Sequence, residues 1–327
     1  MLFRSGVQGN TNVISVIDIA TNVVTGHITG DNTYPLYEPT AMAITSDGTM
    51  GYVCNYGQGT QPSVDVAKID LMTNTIIDSI SIGTSYGSTD IYLNSTNDYL
   101  YVLNDNDQTN GGGSITVIRT SDKSLVTTVT GFYGPYNFAA NPAGTTLYVA
   151  NYGNNNGNTV SVVDISTPTL PVITKTITFS YSPLGVVVNG QGTYVYVISE
   201  KNINNNNDYQ GYLQVIDTAT NTLMSVMFQV ANVALGMVCS QDGNYGYISN
   251  NNSSGSITVI GLSFFTFTGQ ACKTENVFLT QKDLVNRINW QVFGSPLPVG
   301  YAIYSDEALT KKIATIQRAT DLFYYDH

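Results

Sequence analysis

Side chains able to perform catalysis are scarce in this chain of 327 residues. Its histidines are His27, within a strand-like run, and His327, at the end of the sequence. A copper or haem centre needs several His ligands, and a hydrolytic triad needs a His beside a Ser or Cys with an acid behind it. These two residues assemble neither. We therefore expect no catalytic residues and no cofactor, and we interpret His27 as a surface residue of an outer strand.

Aspartates recur at one place in a repeating pattern. Asp18, Asp70, Asp164 and Asp217 each stand just before a polar turn. Paired carboxylates can act as general acid and base. An Asp at such a turn, however, accepts hydrogen bonds from nearby backbone amides. We interpret these four residues as turn-capping groups.

One acidic loop resembles the beginning of a calcium site. In the run from Asp105 to Gly111, Asp105 and Asp107 stand two residues apart, as in a calcium-binding loop. The bidentate Glu that should close a twelve-residue loop is missing, because Thr116 stands there. Asp105 and Asp107 are therefore weak metal candidates, and we predict a surface loop without a metal.

Composition argues against several classes of function. Twelve Lys and Arg against 23 Asp and Glu give a formal charge of -11. Phosphate binding needs clustered Lys or Arg, so we expect no nucleic-acid partner. The sequence contains no run of about twenty apolar residues, so we expect no membrane span. The first eleven residues contain no visible export signal. The cysteines Cys54, Cys239 and Cys272 fit no metal spacing, and we interpret the first two as buried thiols.

A repeat organises most of the chain. Tyr-Val-x-Asn or a close variant recurs at steps of 49, 47, 48 and 51 residues, beginning at Tyr52, Tyr101, Tyr148, Tyr196 and Tyr247. Each copy follows a polar turn such as Asp47-Gly48 and precedes a second apolar run. Short runs of β-branched residues and Tyr between turn formers predict four antiparallel strands per repeat. Repeats of this size predict a β-propeller, whose blades cover one another's faces.

These motifs resemble a known family. Tyr-Val-x-Asn, then Val-Ile-Asp and Thr-Asn at these spacings, is similar to the YVTN-type β-propeller repeats of surface-layer and other secreted or envelope proteins. The resemblance implies that residues 1–268 form an all-β propeller and that the protein is extracellular or in the cell envelope. It does not imply one chemistry, since propellers serve both as binding scaffolds and as enzymes.

We predict about six four-stranded blades, of which the first is incomplete. The run from Leu2 to Gly6 stands where the second strand of a blade belongs, so the first innermost strand is missing. The run from Phe264 to Thr268 could supply a substitute outer strand for the last blade. Either the ring is irregular and its degenerate first blade still closes, or the chain is a piece of a larger reading frame.

Residues 269–327 have a different character. The period disappears, and half of the Lys and Arg residues lie beyond position 270. The runs Asn286 to Trp290 and Tyr301 to Tyr304 alternate apolar and polar residues, and Leu322 to His327 is a further strand candidate. This pattern resembles the first half of a fibronectin type III-like sandwich. We predict a partial C-terminal β-sandwich.

The topology of a blade separates two kinds of loop. Connections from second to third strand share one end of the propeller with the connections between blades, and the tight turns lie at the other end. The loops at the first end are long, unlike one another and rich in Tyr and Asn. The Tyr residues predicted to bind there are Tyr34, Tyr37, Tyr56, Tyr86, Tyr133, Tyr136, Tyr152, Tyr181 and Tyr209.

This composition is typical of recognition surfaces, where Tyr supplies rigid contact area and small polar residues adapt. We predict a non-enzymatic extracytoplasmic interaction scaffold that binds a protein or a glycan through this Tyr/Asn-rich loop face. One alternative is a lactonase- or hydrolase-like enzyme acting at the central channel. Such an enzyme needs charged side chains on the inner strands, which are apolar in this sequence. Two further alternatives are that the protein is a structural envelope repeat protein and that the loops are solvated and bind nothing.

Overall fold

Antiparallel strands are the regular elements that the computed structural model describes. It describes residues 2–8, 11–56, 66–82, 87–105, 112–153, 156–203, 209–240, 242–251, 256–262, 275–282, 285–292, 301–304, 312–316 and 323–326. Residues 2–8, 11 and 226 and the described residues from 275 onward are described by their backbone alone. The prediction of an all-β chain is confirmed.

The strands pair in chain order to form five propeller blades. Blade 1 has three strands and each of the others has four, with the innermost strand first. The bounds are, for blade 1, β1 (Leu2–Gln8), β2 (Thr11–Asp18) and β3 (Val23–Thr29); for blade 2, β4 (Pro39–Ile44), β5 (Met50–Asn55), β6 (Val66–Asp70) and β7 (Thr75–Ile80); for blade 3, β8 (Ser88–Leu93), β9 (Tyr99–Asn104), β10 (Gly113–Arg119) and β11 (Leu125–Phe132); for blade 4, β12 (Pro135–Ala140), β13 (Thr146–Asn151), β14 (Thr159–Asp164) and β15 (Val172–Thr178); for blade 5, β16 (Ser182–Val188), β17 (Tyr194–Asn202), β18 (Tyr209–Asp217) and β19 (Thr222–Gln229).

Blade 1 is incomplete in the way the sequence predicts. Strand β1 pairs with β2, with Leu2 opposite Ile17, and β2 ends at Asp18 as β6 ends at Asp70. β1 therefore holds the place of a second strand, and blade 1 has no innermost strand among its described residues.

The prediction of about six blades is wrong by one. The sixth repeat forms a three-stranded sheet of β20 (Ala234–Cys239), β21 (Tyr245–Asn250) and β22 (Ser256–Gly261). The second strands of blades 2 to 5 have long buried stretches, whereas β21 alternates, with Tyr245 and Tyr247 exposed and Ile248 buried. Only one face of this sheet is covered, while a propeller blade is covered on both. The run from Phe264 to Thr268 lies outside the described residues.

The chain divides into two compact units. Unit 1 comprises Met1–Met237 and Ser249–Ser256, and unit 2 comprises Val238–Ile248 and Ile257–His327. Unit 2 contains β23 (Glu275–Lys282), β24 (Val285–Val292), β25 (Tyr301–Tyr304), β26 (Lys312–Ile316) and β27 (Phe323–Asp326). These pair in the orders β23-β24-β27 and β25-β26. The three strands predicted there are present, whereas the likeness to fibronectin type III and the boundary at residue 268 stay predictions.

Turn chemistry explains the polar part of the repeat. The turn between first and second strands places Gly48 at φ +71°, and Asn97, Gly144, Gly192 and Gly243 repeat this left-handed conformation, which favours Gly and Asn. At the turn between the third and fourth strands, Oδ1 of Asp70 accepts hydrogen bonds from the amides of Met72 and Thr73 at 2.8 and 3.2 Å. Asp18, Asp164 and Asp217 accept equivalent bonds. Their interpretation as turn caps is confirmed.

The motif Asn joins the second strand of a blade to the third. Nδ2 of Asn151 donates to the hydroxyls of Thr159 and Ser161 at 3.0 and 2.9 Å. Asn104 in blade 3 does the same with Ser114 and Thr116. Both side-chain amides are buried at the loop end of their blades. They therefore fix the end of the second strand, from which the loop begins.

Apolar side chains of the second strand bind neighbouring blades together. Tyr52 and Cys54 pack in one cluster with Ile91 and Leu100 of blade 3, and Val53 packs on the other face with Ile14 of blade 1. Burying a residue of this size stabilises the fold by about 1.5–3 kcal/mol. Equivalent clusters lie between blades 3 and 4 and between blades 4 and 5.

The innermost strands are linked by a partly buried carboxylate, Asp90, which the interpretation of these strands as apolar did not anticipate. Oδ2 of Asp90 on β8 accepts hydrogen bonds from Nδ2 of Asn137 and the amide of Phe138 at 2.7 and 3.0 Å. Oδ1 of Asn137 accepts from the amide of Val186 on β16 at 2.7 Å. Three successive blades are thus joined near the axis. Burial raises the pKa of Asp90 to about 6, because the ionised form is poorly solvated there.

Candidate functional site at the loop face

One position of the repeat stands at the loop end of the second strand in every repeat from blade 2 onward. It is the residue that follows the fourth residue of the Tyr-Val-x-Asn motif. The amides of Tyr56 and Asp105 donate to the carbonyls of Glu38 and Gly87, which immediately precede the innermost strands. This common register places the five side chains around one end of the propeller. We call these the mouth positions: Tyr56, Asp105, Tyr152, Glu200 and Asn251.

Tyr56 and Asp105 connect blades 2 and 3. The hydroxyl of Tyr56 donates to Oδ2 of Asp105 at 3.0 Å. A Cβ at Gly87 would collide with the ring of Tyr56, so the lack of a side chain there gives the ring its place. Burial, together with the negative charges of Asp105 and Glu38, raises the pKa of Tyr56 to about 12. The phenol is therefore the donor and Asp105 the acceptor at neutral pH.

Tyr136 lies between the acids of two blades. It is the second residue of β12 and is 46% exposed. Its ring stands 5.8 Å from the ring of Tyr152, centroid to centroid, at an angle of 58°. Burial of the phenol raises the pKa of Tyr136, and the charges of Glu200 and Asp105 add to the effect. An exposed aromatic surface thus lies within the field of two carboxyl groups.

Glu200 is the unusual member of the group. It lies on β17 opposite Ser182 on one side and Gly211 on the other, and it is 5% exposed. Its Oε1 is buried without a hydrogen-bond partner. Burial raises the pKa of Glu200 to about 7, so a large fraction of the carboxyl group is protonated at neutral pH.

Tyr56, Asp105, Tyr136, Tyr152 and Glu200 form what we call the mouth cluster. The sequence predicted the three tyrosines and gave Asp105 as a weak metal candidate, but it missed Glu200. The signal was present, since Glu200 follows Ser199 as Asp105 follows Asn104. Glu38, which acts on Tyr56, was missed as well.

A second aromatic group lies on blade 5. The ring of Tyr181 stacks on that of Tyr212 at 4.6 Å, and Nζ of Lys201 lies 5.3 Å from the centre of the Tyr181 ring. Tyr181 immediately precedes β16, whereas Lys201 and Tyr212 lie on the hairpin of β17 and β18, whose pairing continues three residues beyond Ser199. Tyr181 was predicted from the sequence, whereas Tyr212 was not.

The other predicted tyrosines have separate places. Tyr34 and Tyr37 lie on the connection from β3 to β4, and Tyr209 opens β18. Tyr133 packs against Gly153, where a Cβ would collide with its ring. Tyr86 lies outside the described residues. Whether any of the nine binds a ligand stays a prediction.

Metal-binding and nucleophilic groups are few in the described part of the chain. No cluster of three or more His, Cys, Asp or Glu suited to a metal occurs there. Asp107 lies outside the described residues, and Asp105 accepts the bond from Tyr56. His27 is exposed on β3 beside the hydroxyl of Ser15, as predicted. Cys54 is buried as predicted, while Cys239 is half-buried.

The electrostatic character of the loop face follows from these residues. The ion pairs within the described ranges join Arg119 to Asp122 and Lys123 to Asp78, away from the mouth cluster. The mouth cluster can therefore offer a ligand aromatic surface, acceptor oxygens and negative charge.

Among the described residues, no helix is long and apolar enough to cross a membrane.

Solved structures share this fold. Hydrazine synthase of Kuenenia stuttgartiensis is 23% identical, with a TM-score of 0.63 over 76% of this chain and 70% of that one. A functionally unknown protein from Desulfotomaculum acetoxidans is 20% identical, with a TM-score of 0.57 over 77% and 76%. The β-propeller domain of Myceliophteria thermophila Cps50 (Swd1) is 10% identical, with a TM-score of 0.52 over 85% and 86%. No protein-family model and no curated protein matches the sequence. At these identities the likeness shows the propeller fold alone.

Proposed function

We propose that this β-propeller is a non-enzymatic interaction scaffold that binds a protein or a glycan through its loop face. The observation that carries the proposal is the mouth cluster, in which aromatic and acidic side chains from four successive blades converge at one end of a rigid framework. Binding residues commonly lie on loops that such a framework positions.

Tyr136 and Tyr152 are the expected contact residues. A Tyr ring offers a large amphipathic surface at a small cost in conformational entropy. Tyr136 keeps nearly half of its surface exposed although its ring already packs against Tyr152. Such a pre-ordered ring can stack on a sugar face or enter a pocket of a protein partner.

The repeat motif supports an extracytoplasmic location. Tyr-Val-x-Asn with Val-Ile-Asp and Thr-Asn is similar to YVTN-type repeats, which occur in secreted and envelope proteins. The C-terminal region, similar to part of a fibronectin type III domain, would serve as a spacer or an anchor. Fractionation of cells that express the native gene tests this location: we expect the protein in the envelope or medium, and recovery in the cytoplasm would contradict it.

Glu200 favours hydrolysis as a second candidate function. A carboxyl group that is partly protonated near pH 7 can act as a general acid, and Asp105 lies on the other side of Tyr136. Hydrolysis of nitrophenyl esters and glycosides at pH 6–8 tests it. Turnover that Glu200→Gln abolishes and Asp164→Asn leaves intact would replace the scaffold proposal with this one.

The scaffold proposal is tested by exchanging the aromatic contacts together. Wild type and the variant Tyr133→Ala/Tyr136→Ala/Tyr152→Ala are applied to glycan and peptide arrays. Tyr245→Ala is the matched control, since Tyr245 is 49% exposed on β21. We expect the spots bound by wild type to fade at least tenfold with the triple variant only. An identical pattern for all three proteins would contradict the proposal.

A further inference from the structure

We propose that the mouth cluster recognises a protonated amine, which sits against the rings of Tyr136 and Tyr152 with Asp105 and Glu200 as its counter-charges. This inference rests on the proposed binding function of the loop face and specifies its ligand chemistry. The ammonium group can belong to a lysine side chain of a protein or to an amino sugar of a glycan.

The sign of the charge is the first argument. The charged groups that act on Tyr56 and Tyr136 are Glu38, Asp105 and Glu200, and all of them are acids. In a partly desolvated site, negative charge attracts a cation more strongly than it attracts a neutral hydroxyl.

The balance of hydrogen-bond donors is the second argument. Asp105 receives the hydroxyl of Tyr56, whereas Oε1 of Glu200 is buried and has no partner. A buried acceptor left without a donor costs about 1–3 kcal/mol. An ammonium group brings three donors and no acceptor. A cation at the mouth lowers the energy of ionised Glu200 through space, so it favours the charged form of this carboxyl group.

The aromatic surface is the third argument. An ammonium over a Tyr ring gains about 0.5–2 kcal/mol, and more as the site is desolvated. The chain already contains one such pair, since Nζ of Lys201 lies 5.3 Å from the ring centre of Tyr181. The ring of Tyr136, in contrast, is exposed and packs against Tyr152. It presents the same kind of surface to a cation from outside.

Two pairs of small ligands test the inference, and in each pair one nitrogen is a protonated amine in one member and a neutral, acetylated amide in the other. The first pair is Nα-acetyl-lysine amide and its Nε-acetylated form, and the second is glucosamine and N-acetylglucosamine. Binding is measured by saturation-transfer NMR and calorimetry at pH 7 and low ionic strength, where both amines are mainly protonated. We expect the charged member of at least one pair to bind about tenfold more tightly than its neutral analogue, and the pair that shows this identifies the source of the amine.

Variants of the chain locate the binding. Glu200→Gln and Asp105→Asn should each weaken binding of the charged ligand about tenfold, whereas Asp164→Asn removes a turn-cap charge and should leave it unchanged. Tyr136→Ala keeps the test valid if either acid variant fails to fold, because its ring is exposed. It should abolish binding of the charged ligand.

Failure of this inference can be told from failure of the proposed function. Equal binding of charged and neutral analogues that is lost in Tyr136→Ala would overturn the amine while keeping the loop face as a binding site. Binding to none of the four ligands, with array spots that still depend on the three tyrosines, would do the same. Absence of both kinds of binding would overturn both proposals.

Discussion

Carboxyl groups at the two ends of the propeller differ in their hydrogen-bond partners and in the direction in which their pKa values are shifted. At the turn end, which holds the tight turns, Asp18 and Asp47 accept bonds from nearby amides and hydroxyls, and these bonds lower their pKa values. At the loop face, burial raises the pKa of Glu200 and leaves one oxygen without a partner. A carboxylate that accepts hydrogen bonds from neighbouring amides and hydroxyls stabilises its turn. A carboxyl group that lacks such donors can interact with a ligand instead.

Asp90 provides the largest expected effect and sharpens this comparison. Its pKa is raised by desolvation, as that of Glu200 is, but both of its oxygens accept hydrogen bonds, as in a turn cap. Asp90→Ala leaves Nδ2 of Asn137 and the amide of Phe138 without their acceptor. We expect a loss of about 3 kcal/mol of unfolding free energy at pH 5. Urea denaturation measures it, and a loss equal to that of Asp164→Ala would show that Asp90 does not join the blades.

The pH dependence of stability should also separate the two kinds of carboxyl group. Asp90 and Glu200 have pKa values raised to about 6 and about 7, so the folded state holds their protons more tightly than the unfolded state. Stability therefore falls as pH rises from about 4 to 7. The turn caps act in the opposite sense, and their contribution is lost only as pH falls below about 4.

Melting temperatures across pH 3–8 check this. We expect the melting temperature to be highest near pH 4–5 and to decline towards pH 7. Asp90→Asn combined with Glu200→Gln should flatten that decline, whereas Asp164→Asn should not. A maximum at pH 7 in the wild type would contradict the raised pKa values.

Tyr56 tests whether the mouth cluster is held in place before a ligand arrives. Tyr56→Phe removes the donor to Asp105 and should cost about 1 kcal/mol of stability. Tyr34→Phe is the control, since Tyr34 lies on the connection from β3 to β4. Chemical denaturation compares the two, and equal losses would mean that the bond between Tyr56 and Asp105 contributes nothing.

The smallest expected effect belongs to the turn end. Asp164→Ala removes the acceptor for the amide of Ser166 at 2.8 Å on an exposed turn. We expect a loss below about 1 kcal/mol and unchanged ligand binding. A binding defect in this variant would remove the distinction between the two ends.

The fold was largely predictable because its signals are local. Turn formers, β-branched runs and the motif Asn repeat in register, so four strands per repeat follow from the sequence. The count of blades was not predictable, because it depends on what covers the second face of β21. Tyr247 of this sheet stands where blades 2 to 5 have a buried Tyr, yet here it is exposed.

The candidate site was predictable only in part. Tyr56, Tyr136 and Tyr152 were accessible from the loop pattern, because Tyr is informative by itself. Glu200 was missed, because a single Glu looks like an ordinary surface residue, although it occupies the same position of the repeat as Asp105. Its burial arises from pairing with Ser182 and Gly211, which only the three-dimensional structure brings together.

The comparison of the two ends is tested most directly by one paired binding measurement. Tyr136→Ala/Tyr152→Ala changes the loop face, and Met72→Ala/Leu170→Ala changes two side chains that are 77% and 70% exposed in turns between strands. Each double variant is titrated against the array partner that wild type binds most strongly. We expect the first to lose at least tenfold in affinity and the second to bind like wild type. Loss in the second variant with retention in the first would contradict the assignment of binding to the loop face.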